Sequence, residues 1–295
     1  MKEEQKKLLV CLQTDFNTLW DKFCDIFPDI KSIFSNKELT KMGVKYAAKY
    51  KALCDSQQEI ITSACFFDEF ISSLGNGNQA KDFKEMVNGI GDVIKIAQKH
   101  AINNRNQSVF TKIKQTIKDM IVTMDESPLS NNSDYRNRLN ELLVFNWLSE
   151  CENIKVISIE KKLENGKSCD FECQHKDGTI VLLEVLSINN LNVNKQDDSK
   201  TFSAFINSKV KDKFNDKTNR LSFIPDIKII PILEYTEGLE NFKITVNDKF
   251  SLKPFMVVKN KIDESNEIYL GDLEEISQQF LQQKRTNNGD ISIFT

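Results

Sequence analysis

Histidine is nearly missing from this chain. Only His100 and His175 occur in 295 residues, which argues against Ser-His-Asp or Cys-His catalysis and against a histidine-rich metal centre. Cysteine is present without a pairing pattern. The seven, Cys11, Cys24, Cys54, Cys65, Cys151, Cys169 and Cys173, are odd in number and form no CxxC. Most lie within apolar patterns, as reduced, buried thiols do. Cys169 and Cys173 could be half of a metal site, but no second pair completes it. Long hydrophobic runs are absent too. LLVCL, after MKEEQKK, is too short for a signal-peptide core or a membrane span. The expectation is a cytoplasmic protein with no membrane partner. A large basic excess is also lacking: the net charge is −3, so any nucleic acid must be met by a local basic surface.

The chain is long enough for one large domain or two ordinary ones. Its two halves follow different patterns. Residues 1–127 read as a helical bundle, with apolar residues at three- and four-residue spacing (Leu8, Leu9, Leu12, Phe16, Leu19, Trp20, Phe23). Ser35 with Glu38 and Ser56 with Glu59 fit capping boxes. Helices are expected at about 79–100 and 107–124. This half suits packing, self-association or binding of a protein partner. The stretch DESPLSNNSD at 125–134 contains Pro128 and several turn formers, and marks a boundary.

Residues 128–295 read as α/β. A helix at 134–150 leads to a strand, IKVISIE, and then to a hairpin, CDFECQHKDGTIVLLEVLSI. A helix at about 200–218 and the strand DIKIIPILEY follow. FKITV, PFMVVK and DISIF are further strands, with a helix at 273–284. Helix, three strands, helix, strand is the order of a mixed sheet.

The hairpin carries an acid in each arm, Asp170 and Glu184. A two-residue Asp177-Gly178 turn puts them on opposite faces. A three-residue Lys176-Asp177-Gly178 loop, with Gly178 in a left-handed bulge, sets them side by side. The second register also segregates the strands better. Cys169, Phe171, Cys173, Val181, Leu183 and Val185 then share an apolar face, and Asp170 and Glu184 share the other with Ile180, Leu182 and Leu186. Adjacent carboxylates on a partly apolar face repel, and a hard divalent cation between them relieves the repulsion. Such a cation assists phosphodiester hydrolysis. An exposed face carrying two acids is the plainer alternative. On the first reading, Asp170→Ala or Glu184→Ala should abolish metal-dependent cleavage and leave the fold nearly intact.

Residues 135–235 resemble the PD-(D/E)xK, or restriction-endonuclease-like, nuclease superfamily. Asp170 in KSCDFE opens the second strand of the pattern, Glu184 in LLEVLS takes the glutamate position, and Glu141 lies in the preceding helix. The resemblance implies an αβββαβ core, Mg²⁺ or Mn²⁺ as cofactor, nucleic acid (DNA before RNA) as substrate, and a role in bacterial restriction or phage defence. Asp170, Glu184 and Glu141 would be the metal ligands, with Glu141 equally readable as a surface helix acid and Glu172 as a supporting acid. Cys169 replaces the nominal proline. Leu186 replaces the motif lysine, which leaves a catalytically decayed binding module as the alternative function. The lysine can also have moved to the next helix. In KTFSAFINSKVKDKF the apolar stripe is Phe202, Phe205, Ile206, Val210 and Phe214. At about 100° per residue, Lys209 and Lys213 fall roughly 20° from Phe202 and Ile206. Lys211 points away. Either lysine can snorkel along the stripe's edge to water, or one, Lys209 in preference, reaches the carboxylates as a catalytic cation.

Overall fold

The structure is a computed structural model describing residues 16–26, 28–55, 95, 99, 107–122, 134–191, 198–235, 244–252, 255–259 and 266–270. The start of the first apolar stripe, the Ser56/Glu59 cap, most of the helix expected at 79–100, the helix at 273–284 and the DISIF strand lie outside the described residues. Helices α1 (Phe16–Ile26), α2 (Pro28–Lys31), α3 (Asn36–Asp55) and α4 (Gln107–Val122) precede α5 (Asp134–Glu150). Strands β1 (Ile154–Lys162), β2 (Ser168–His175) and β3 (Ile180–Leu191) follow. Helix α6 (Ser199–Thr218) then leads to β4 (Ile227–Tyr235), β5 (Phe255–Lys259) and β6 (Asn266–Leu270).

The strands form one mixed sheet in the order β1-β2-β3-β4-β5-β6. β1, β2 and β3 pair antiparallel, β3–β4 and β4–β5 parallel, and β5–β6 antiparallel. Parallel neighbours need a crossover, and α6 is the one that joins β3 to β4. The chain is thus a mixed α/β protein. FKITV does not form a strand within its described residues: 244–247 run beside the sheet without pairing. That segment is tied instead to α6, where Ser203 Oγ accepts the Thr245 N–H (3.0 Å) and Asn207 Oδ1 the Asn247 N–H (2.8 Å). β6 was not anticipated from the sequence.

The capping box at Ser35 is made as its spacing requires. Glu38 Oε2 accepts from the Ser35 N–H (2.9 Å) and Oγ–H (2.7 Å). Lys114 of α4 donates to the same carboxylate (2.9 Å), which joins α3 to α4. Lys114 foremost, then Ser35, holds Glu38 down at about 2.

Two apolar cores flank the sheet. One spans Phe16, Trp20 and Phe23 of α1, Ile113 and Ile117 of α4, most of α5, and Phe171, Val181, Leu183, Val185, Ile230 and Ile232 of the sheet. It is continuous across the boundary expected at 127/128, so the described residues on either side share one interior. The second, beneath α6, gathers Phe202, Ile206 and Val210 with Leu182, Ile227, Ile229 and Leu233. α5 lies between α4 and the sheet. Tyr135, Leu139, Asn140 and every residue from Leu142 to Leu148 are buried, so this helix has almost no solvent face. Buried Asn140 donates to Ser187 Oγ of β3 (2.9 Å). That bond satisfies a polar group which would otherwise be costly inside.

Candidate active site

The β2–β3 turn decides where the two acids stand. Gly178 has φ +90°, a value that glycine adopts without the penalty other residues carry. The His175 N–H donates to the Thr179 carbonyl and the Gly178 N–H to the His175 carbonyl, each at 2.9 Å. Asp177 Oδ1 accepts the Thr179 N–H (2.8 Å), and this bond first of all lowers the Asp177 carboxyl to about 2. The loop is the three-residue one. The pairs Gln174↔Ile180, Cys173↔Val181, Glu172↔Leu182 and Phe171↔Leu183 follow from it. Continued one step, the register sets Asp170 against Glu184.

Regular pairing stops at Phe171, and with it the expected alternation. Cys169 does not join Phe171 and Cys173. It is buried in the α6-side core with Leu182 and Phe202. Burial first, then the neighbouring Glu184, pushes its thiol up to about 12. At the same break Asp170 Oδ2 accepts the Val185 N–H from β3 (2.7 Å).

Glu184 is buried, its side chain 3 % exposed, and it is met by two lysines from α6. Lys213 Nζ lies 2.9 Å and Lys217 Nζ 2.8 Å from Glu184 Oε1. Lys217, 12 % exposed, also donates to the Ser168 carbonyl. Lys213 is a third exposed. Burial opposes its charge, but Glu184 more than compensates and holds it above the ordinary lysine value. A lysine of this helix therefore does reach Glu184, although not the one preferred from the sequence. Lys209 is exposed, with its ammonium 5.6 Å from the Phe205 ring centre. Phe205 itself is 40 % exposed and not part of the buried stripe. Lys217 was missed, yet the same arithmetic marks it: at 100° per residue it falls about 20° from Val210. Lys211 is exposed, as expected.

The third wall comes from α5. Arg138 and Glu141, one turn apart, form an ion pair in which Arg138 Nη1 donates to both carboxylate oxygens (2.8 and 3.0 Å). Glu141 is not a surface acid. Its side chain is 20 % exposed and lines the same cavity as Asp170 and Glu184. Glu172 is elsewhere, engaged by Lys161 (2.7 Å) and by Ser158 Oγ (2.8 Å) of β1. The cavity, about 410 Å³, is lined by Asp119, Arg138, Glu141, Asp170, Glu184 and Lys213, with Asn137 and residues 185–187 between them. Leu186, where the motif lysine would stand, is on its wall.

Four acids against two bases make this lining electronegative. Burial first, then Glu184 and Glu141, drives the Asp170 carboxyl well above the usual range, and the Val185 N–H only partly offsets this. Burial also raises Glu141 against the pull of Arg138. Arg138, whose burial works the other way, is held above its ordinary value by Glu141.

Glu184 Oε2 is buried and without a hydrogen-bond partner. A buried carboxylate oxygen without a donor is costly. An oxygen-only set of Asp170 and Glu184 beside a water-accessible cavity fits a hard divalent cation bound by one or two carboxylates and completed by water. Among the described residues, no group of three or more His, Cys, Asp or Glu side chains is arranged to hold a metal ion, so the fit is to two carboxylates and not to a closed protein cage.

Comparison with protein-family models, with curated proteins and with solved structures finds no match for this chain. Among the described residues, no helix is long and apolar enough to cross a membrane.

Proposed function

We propose that this chain is a divalent-cation-dependent nuclease that hydrolyses phosphodiester bonds in nucleic acid, with a core of the restriction-endonuclease-like kind. The observation that carries the reading is the meeting of Glu184 with Lys213 and Lys217 beside Asp170. The acid pair and a cation are assembled although the strand position for the lysine is Leu186. The element order supports it as well: a helix, a three-stranded antiparallel meander, a crossover helix and a parallel fourth strand.

Asp170 and Glu184 would hold Mg²⁺ or Mn²⁺. Such an ion, when bound, polarises a phosphoryl oxygen and makes water a better nucleophile. The chain's own groups do the rest. Lys213, tethered to Glu184 yet a third exposed, offers its remaining N–H donors to a phosphate oxygen or to water in the cavity. Lys217 is deeper and anchored on the Ser168 carbonyl, so its task is to fix Glu184. The Val185 N–H orients Asp170 by occupying one of its oxygens. DNA is the first substrate to test, and a role in restriction or phage defence follows the resemblance.

A second reading, a nuclease fold that binds nucleic acid without cutting, draws on one specific feature: Glu184 Oε1 already faces two ammonium groups. One assay separates the two. Single- and double-stranded DNA and RNA are incubated with the protein in Mg²⁺, Mn²⁺ or EDTA, alongside Asp170→Asn and Lys213→Ala. Metal-dependent cleavage that both variants lose is the expected result. Cleavage by Asp170→Asn at the wild-type rate would refute the site, and binding of these substrates without cleavage would favour the second reading.

A further inference from the structure

Glu141 occupies the helix position at which the resemblance implies a metal ligand, yet both its oxygens are engaged by Arg138. The pairing uses only Nη1 of the guanidinium. Among the described residues no other hydrogen bond of Arg138 is seen, and its side chain is 40 % exposed at the cavity wall. Nη2 and Nε therefore remain as donors, in the planar fork that matches two oxygens of a phosphate group. The position is fixed from behind. α5 is buried on almost every side, and Asn140, between Arg138 and Glu141 in sequence, is tied to Ser187 on β3.

The charge count gives the order of events. Asp119, Glu141, Asp170 and Glu184 line the cavity against Arg138 and Lys213, with Lys217 behind Glu184, so a divalent cation more than balances the excess of one and an anion then enters favourably. Arg138 and Lys213 stand on different elements, α5 and α6, and both line the one cavity. An oxyanion held there would meet a guanidinium from one wall and an ammonium from another.

Building on the nuclease reading, we propose that Arg138 is the substrate-phosphate contact of this cavity and that Glu141 is a positioning residue acting through Arg138, not a ligand of the cation. Glu141 fixes the guanidinium by binding one nitrogen and leaves the other two as donors. Its carboxylate keeps lone pairs beyond those that Arg138 uses, so the dependence on the cation is what separates a positioning residue from a ligand.

The test uses the full chain with a fluorescent DNA oligonucleotide and measures KM, kcat and the Mn²⁺ midpoint separately. Arg138→Ala and Glu141→Gln should each raise KM at least tenfold and leave the Mn²⁺ midpoint within about twofold. Arg138→Lys should recover part of the loss. The Arg138→Ala/Glu141→Gln double variant should be no worse than Arg138→Ala, because residues acting as a unit are not additive. A Mn²⁺ midpoint that rises at least tenfold in Glu141→Gln while KM holds would overturn the proposal. Should the chain cleave nothing, binding of inorganic phosphate in the presence of Mg²⁺ still decides the matter by calorimetry. Binding that Arg138→Ala loses and Arg138→Lys partly keeps sustains the anion contact without the nuclease. Binding equal in wild type and Arg138→Ala, or absent from wild type, refutes it. Melting curves of each variant verify that it is folded.

Discussion

Replacing Glu184 by glutamine should damage the fold, whereas replacing Asp170 by asparagine should strengthen it, although the two acids are neighbours. Glu184→Gln keeps size and shape but removes the carboxylate that pairs with two ammonium groups at 2.9 and 2.8 Å. Breaking a fully buried pair costs about 3–5 kcal/mol, mainly through the charge left behind. Lys213 is a third exposed and can turn to water, so its share is small. Lys217 is 12 % exposed and keeps only the Ser168 carbonyl. The lower end, about 3 kcal/mol, is the expected cost. For a chain of this size that is a fall in Tm of about 6 °C. The sequence had suggested that Glu184→Ala would leave the fold nearly intact, since removing a repelling acid opens no cavity. The lysine pair reverses that expectation. Asp170 is the opposite case. Its ionised form is disfavoured by burial and by Glu184 and Glu141, and asparagine retains an oxygen for the Val185 N–H. Scanning calorimetry at pH 7 in EDTA should show Tm falling for Glu184→Gln and rising for Asp170→Asn. A Glu184→Gln protein melting within about 1 °C of wild type, or an Asp170→Asn protein losing as much as Glu184→Gln, would show that the charge assignments are wrong.

Acidity should act through the same groups. Asp170 and Glu141 have folded values raised above unfolded ones of about 3.9 and 4.3. The native state therefore holds more protons, and their contribution to stability is full below about pH 4 and is lost as the pH climbs through the raised values. Measured in EDTA, the Tm difference between wild type and Asp170→Asn should widen with rising pH; a difference that stays flat would contradict this. Lys213→Ala should lower the cleavage rate at least tenfold, while Lys209→Ala and Lys211→Ala stay within about twofold, and Lys209→Ala gives up only about 0.5 kcal/mol of an exposed cation–π contact. Equal rates in the three variants would remove Lys213 from the chemistry. Gly178→Ala meets no atom within 4 Å, so its cost is backbone strain alone, about 1–2 kcal/mol; unchanged stability in urea denaturation would mean that the loop can adopt another form.

The hairpin was legible because one signal chose between two loops. Gly178 suits the two-residue turn and the three-residue one alike, and only the second keeps Phe171, Cys173, Val181 and Leu183 on one face. The alternation misled at Cys169, where the β2–β3 pairing ends and the period of two no longer binds the chain. On α6, angular position selected Lys213 correctly but could not choose between turns. Lys209 has a comparable angle and stands about 6 Å back along the axis, too early to meet Glu184. That height depends on how the helix crosses the sheet, which no local pattern encodes. Glu141 looked like a ligand or a surface acid because its partner, Arg138, is itself an ordinary helix residue; burial of the residues around them makes the pair conspicuous. NEIYL at 266–270 has Ile268, Tyr269 and Leu270 in succession and no alternation to mark a strand, and is recognisable once Phe255–Lys259 lies alongside it.

A helix whose described residues are mostly buried has a consequence for how the chain comes into being. During synthesis α5 leaves the ribosome after α4 but before any of the described strands exists. One side of it can be covered at once by residues already made, such as Ile113 and Ile117. The other must wait until Val181, Leu183 and Val185 have been translated and have paired. Until then Leu142, Val144, Phe145 and Leu148 form a sticky surface with nothing to rest on. A chain halted near residue 150 should therefore be a strong client for chaperones that bind apolar segments, and one halted after β4 a weak one. The cavity wall bearing Arg138 would form at that same moment, last among the described helices that precede the sheet.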